Sequence, residues 1–138
     1  MTQTTASLDL RLLLRREVGQ LRERETRRVF DPAVYVGTLG GDRHSFVVRR
    51  SDLPGLDPGL RVDVVSELLE QTDPAHREAW LVRPGTPEQH DDDLAWLAAA
   101  GAAFAMHGRS LDDFYAITRY GWRRVRTGES RTWKRLRL

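Results

Sequence analysis

Cysteine is absent from the 138 residues, which excludes a disulfide framework, a thiolate metal site and a cysteine nucleophile together. Lysine is nearly absent as well, since all but Lys134 of the 22 basic residues are arginine. GC-rich coding produces that bias without selection on binding, so where the arginines lie is more informative than what they are. Long apolar runs are also missing. The longest, Leu94 to Met106, has 13 residues and is too short to span a bilayer. The leucines between Leu8 and Leu14 are interrupted by Asp9 and Arg11, with no small-residue cleavage site after them, so no signal peptide is expected and a cytoplasmic protein is.

What is present is ordinary in amount and uneven in place. Hydrophobic residues make up 40% and charged residues 30%, values of a globular chain, and the length predicts one domain over residues 1–138. Residues 1–30 carry a net +3, residues 31–118 a net −8 and residues 119–138 a net +7. The expected organisation is therefore an N-terminal helix (1–30), an acidic body (31–118) and a basic hairpin tail (119–138). An acidic body with a basic end points to a polyanionic partner.

Along the chain, Ser7 is placed to N-cap a helix whose stripe is Leu10, Leu14, Val18 and Leu21, with Glu23 and Arg27 as an i,i+4 pair. The stripe suits packing on the body or, alternatively, a homodimer contact. Val34–Leu39 and His44–Arg49 read as strands around Gly40-Gly41-Asp42. Asp57 and Pro58 open a second helix with Val62, Val65, Leu68 and Leu69 on its buried face, ended by Asp73-Pro74. Ala79–Arg83 forms a strand, and the alanine-rich helix after His90 to Asp93 is the central packing element, with Gly101 and Ala105 allowing close approach. Phe114–Thr118 begins a last strand that runs into the tail. The alternation predicts an α+β fold: a mixed sheet of about five strands, helices packed on it, ending in a C-terminal hairpin. It is similar in element order to the zinc deaminases, but their metal needs cysteines that this chain lacks, and no family is assigned.

The tail carries the functional expectation. Gly128-Glu129 fits a two-residue type II′ turn, and that turn would set Arg126 opposite Arg131, Arg124 opposite Trp133, Trp122 opposite Arg135 and Tyr120 opposite Arg137. Alternation then gathers three rings and five guanidinium groups on one face, and a slipped register such as a four-residue loop would change the pairs but keep this alternation only if the shift is symmetric. The expected nucleic-acid-binding residues are Trp122, Arg124, Arg126, Arg131, Trp133, Lys134 and Arg135, the cations on phosphates and the two tryptophans stacking on bases. Two other uses compete. One has the arginines stabilise the hairpin by lying over its rings, the other has them meet an acidic protein surface, that of a partner or of the body itself around Asp91–Asp93.

Chemistry beyond binding is thinly supported. His90, Asp91, Asp92 and Asp93 have the ligand types of a magnesium or manganese site, the weaker alternative of a small metal-dependent enzyme. Consecutive residues at a helix start point apart, however, and an aspartate cap with its neighbours on the helix dipole explains them. His107 lies a helix length away, roughly 25 Å, too far to share their ion. No nucleophile elbow accompanies His44 or His76, and Gly37 to Gly41 lacks the ending of a phosphate loop. No catalytic residue, metal or cofactor is expected.

Overall fold

The computed structural model describes residues 7–135. In chain order it holds α1 (Leu8–Arg24), β1 (Ala33–Gly37), β2 (Arg43–Val47), a 3-10 helix (Arg50–Gly55), α2 (Pro58–Gln71), β3 (Glu78–Val82), α3 (Asp91–Met106), β4 (Asp113–Thr118), β5 (Gly121–Arg124) and β6 (Ser130–Thr132). The strands make one six-stranded mixed sheet in the order β2-β1-β3-β4-β5-β6. Only β3 and β4 run parallel, because α3 carries the chain back between them. The fold is α+β, as expected, with one strand more than the sequence indicated. No helix among the described residues is long and apolar enough to cross a membrane.

Each face of the sheet has its own core. On one, Val34, Val36, Ala79, Leu81, Phe114 and Ala116 meet Val65, Leu68 and Leu69 of α2 and Trp96, Ala99, Ala100, Ala103 and Phe104 of α3. The small residues Ala99, Ala100 and Ala103 bring α3 close. Gly101 and Ala105, expected in that role, do not take it: Ala105 is exposed and Gly101 has open space where a side chain would start. On the other face, Leu14, Val18 and Leu21 of α1 cover Trp80, Val82, Tyr115, Ile117 and Trp122. The stripe on α1 is thus buried within its own chain, while Leu8 and Leu12 of the same helix stay exposed.

The helix starts follow local chemistry. Ser7 accepts a hydrogen bond from the Leu10 amide and Asp57 one from the Leu60 amide, each an N-cap where the sequence placed it. At α3 the reading fails. The cap is His90, whose Nδ1 accepts from the Asp92 amide, while Asp93 turns inward. The pair Glu23 and Arg27 also does not form, since α1 ends at Arg24 and the Arg27 guanidinium binds Glu25 instead.

A polar ladder crosses the sheet beneath α1. Glu17, 3% exposed on the buried side of the helix, takes both guanidinium nitrogens of Arg43 and the Gly40 amide. Arg43 lies 4.9 Å from the Trp80 ring, which stacks on Tyr35 at 5.5 Å and 2°. Glu78 accepts from the Leu39 amide at 3.1 Å and from the Tyr115 hydroxyl at 3.3 Å. Burial raises the Glu78 value above that of a free carboxyl, the two hydrogen bonds oppose this, and the Asp112 and Asp113 charges add to it. A raised folded-state value means that Glu78 contributes its full stability below the unfolded value of 4.5 and loses it as pH rises through the folded one. Glu78→Gln is therefore expected to stabilise the protein at neutral pH by under about 1 kcal/mol, solvent screening keeping the effect small. Urea unfolding of both proteins from pH 4 to 8 checks this; a difference that shrinks toward neutral pH contradicts it.

Candidate ligand cleft between the first helix and the C-terminal hairpin

The hairpin does not turn at Gly128-Glu129. β5 and β6 pair Gly121 with Thr132, Trp122 with Arg131 and Arg123 with Ser130. The Arg124 amide bonds the Glu129 carbonyl and the Gly128 amide bonds the Arg124 carbonyl, so residues 125–128 form the loop, with Gly128 at φ +82°. The cause lies in the core. Val125 leaves the strand, bonds the Phe114 carbonyl and buries its side chain on the α2–α3 side. A shift of four residues keeps the alternation but changes every partner. The repulsive pair Arg126 and Arg131 is gone: Arg126 sits in the loop, reaching the Leu111 carbonyl at 3.3 Å, and Arg131 faces Trp122.

That register separates the expected binding residues. Trp122 is 2% exposed under α1, which removes it as a stacking platform. Arg124 binds Asp113 through Nε at 2.8 Å and also through Nη2, and reaches Glu129 at 3.3 Å. Glu129 in turn accepts from Arg11 of α1 at 2.7 Å, so Arg124 is committed to a chain of charges that ties helix, sheet and hairpin together. Trp133 remains half-buried with the Arg131 guanidinium 5.4 Å from its ring, and Lys134 and Arg135 are exposed. Arg137 lies outside the described residues.

Between α1 and the hairpin lies a cleft of about 320 Å³, lined by Arg11, Leu12, Arg15, Trp122, Glu129, Ser130, Arg131 and Trp133. Its size is at the lower end of small-ligand sites, and aromatic walls with a few polar groups are the usual composition of such sites. Trp122 lines it, and the indole N–H has no hydrogen-bond partner among the described residues. A buried tryptophan N–H normally finds an acceptor. Three arginines approach the cleft from two elements, with Glu129 the one acid among its lining residues. Sequence reasoning found Trp122, Arg131 and Trp133 but missed Arg11 and Arg15. Their signal was legible: two arginines at i and i+4 of a helix that lies within a net basic stretch, residues 1–30.

The other clusters carry no comparable chemistry. A polar pocket of about 370 Å³ holds His44, His76, Asp42 and Asp73, with His76 Nδ1 hydrogen-bonded to the Thr38 hydroxyl. The Thr38 and Gly41 amides are bonded within the β1–β2 turn and the Gly40 amide to Glu17, so none of the three is a free oxyanion donor. Among the described residues no group of three or more His, Asp or Glu could hold a metal ion. His90 to Asp93 divide their work between a cap and an inward ion pair, which withdraws the metal reading. Comparison with protein families, curated proteins and solved structures finds no match, so the site stands on its own geometry.

Proposed function

We propose that the chain is a nucleic-acid-binding module that receives single-stranded nucleic acid at the cleft between α1 and the hairpin. The observation that carries this is the convergence of Arg11, Arg15 and Arg131 on a cleft walled by the half-buried Trp133. Phosphates would meet the arginines, with Arg126, Lys134 and Arg135 extending the basic track along the hairpin. One base would stack on Trp133, with buried Trp122 serving as the floor of the cleft. A duplex keeps its bases paired and stacked, so a site that must admit a base favours a single strand. Cytoplasmic action belongs to the same proposal.

The test is fluorescence titration with single- and double-stranded oligonucleotides over a salt series. The expected result is salt-sensitive binding that prefers the single strand, with a logarithmic slope of about −0.7 per phosphate contacted. Trp133→Ala should weaken it roughly 5- to 150-fold, the loss of one stacking contact of about 1–3 kcal/mol. Arg131→Ala should both weaken binding and flatten the slope. No binding at low salt, or an unchanged affinity for Trp133→Ala, sinks the reading.

A further inference from the structure

The sheet has two open edges, and they differ in charge. At one end, β2 pairs only with β1. The bonds from Thr38 to Asp42 and from Val48 to Pro32 fix the alternation, so the backbone groups of Arg43, Ser45 and Val47 face outward. Beside this edge α2 presents Asp63, Glu67 and Glu70 at i, i+4 and i+7, all exposed and none in an ion pair among the described residues. Between strand and helix runs a groove of about 270 Å³ whose apolar lining includes Phe46 and Leu60, 38% and 39% exposed. At the other end, β6 pairs only with β5 among the described residues, and by the same alternation the backbone of Ser130 and Thr132 faces outward. This edge belongs to the +7 segment, with Lys134 and Arg135 exposed and outside any ion pair among the described residues.

Following the pairings across the sheet, β2 and β6 run in the same direction. A second copy displaced along the sheet therefore brings its β6 parallel to β2 with the α2 and α3 faces of both copies on the same side. Ser130 and Thr132 lie on that face, and the exposed Lys134 and Arg135 follow them at the same edge, the one that meets the acidic stripe. A twofold contact does not work as well. β2 against β2 sets the stripe against its own image, and β6 against β6 opposes two basic tails. Arg49 and Arg50, exposed just beyond β2, confine the favourable contact to the α2 side.

We infer that the chain associates head to tail, the basic hairpin edge of one copy docking on the β2–α2 edge of the next. Such a contact is heterologous and does not close, so it extends into oligomers with no fixed number of copies. The β6 strand is three residues long, which keeps each contact weak and charge-dependent.

Sedimentation velocity on protein freed of nucleic acid tests this over a wide concentration range at low and high salt. The expected result is a mean mass that climbs past the dimer at low salt and falls to the monomer at high salt. Asp63→Lys/Glu67→Lys should be monomeric, and Lys134→Glu/Arg135→Glu likewise. Mixing the two should restore association, because each then offers the other a complementary edge. The first variant leaves the α1–hairpin cleft untouched and should still bind oligonucleotide, so this inference and the proposed function can fail separately. A monomer at all concentrations in low salt, a plateau at the dimer, or association undiminished in Asp63→Lys/Glu67→Lys overturns it. Milder Asp63→Asn/Glu67→Gln, expected to weaken association partially, serves if the charge reversal impairs folding.

Discussion

Arg83→Met is expected to lower the stability of this protein by about 3–5 kcal/mol, the cost of leaving a buried charge without its partner. Arg83 is 5% exposed at the end of β3 and Asp93 is fully buried in the first turn of α3. The guanidinium meets the carboxylate side-on, Nε to Oδ1 at 2.7 Å and Nη2 to Oδ2 at 2.8 Å. Its remaining donors go to the carbonyls of Pro84, Thr86 and Glu88, so one side chain gathers the whole β3–α3 connection around itself. Methionine fills the volume but satisfies none of these groups, and the Asp93 carboxylate stays behind in a core that cannot solvate it. The double variant Arg83→Met/Asp93→Leu should recover part of the loss, because it removes the stranded charge. Urea unfolding of wild type, both singles and the double gives the cycle. A single variant within about 1 kcal/mol of wild type would show that the pair is not buried as described.

The second large effect is local. A Cβ on Gly121 would lie 2.0 Å from the Arg131 carbonyl oxygen and 2.9 Å from the Pro87 ring. Backbone cannot move aside as the end of a long side chain can, so Gly121→Ala must push β6 away from β5. Overpacking of this kind costs about 1–3 kcal/mol or more. The sharper signature is in hydrogen exchange. The Trp133 amide donates to the Tyr120 carbonyl at 2.8 Å, and its protection should collapse while that of β3 and β4 holds. Oligonucleotide affinity should fall with it, since the cleft loses a wall. The two-residue turn read from the sequence would instead set Gly121 opposite Leu136, so undisturbed Trp133 protection would favour that register.

The elements were largely legible because their signals are local. Ser7 and Asp57 cap helices by reaching amides three residues away, and Pro58 fits a first turn whatever surrounds it. The alternation of β1 and the apolar faces of α1 and α2 needed nothing beyond their own spacing. What stayed hidden depends on groups distant in sequence. The hairpin register is decided by the burial of Val125 beside Phe114, which outweighs the turn preference of Gly128-Glu129. Asp93 looks like a dipole-facing acid until Arg83 is placed across from it. Glu17 sits within an apolar stripe only because Arg43 meets it from 26 residues away. Half of the candidate cleft was hidden likewise, since helix arginines and hairpin tryptophans meet only after the sheet has assembled.

The position of α1 has a consequence for how the chain comes into being. This helix is synthesised before the other elements of the fold, yet it packs on β4 and β5, whose residues are about a hundred positions later. On the ribosome, Leu14, Val18 and Leu21 therefore emerge with nothing to cover them, while β1 to α3 are already able to collapse on one another. The side of the sheet under α1 can be sealed only once β4 and β5 have been made. Such closure across the full contour of the chain is slow, and until it happens Trp80 and Tyr115 remain open to chaperones and to neighbouring chains. Trp122 in its final burial therefore marks the moment at which the first and last elements of this fold have met.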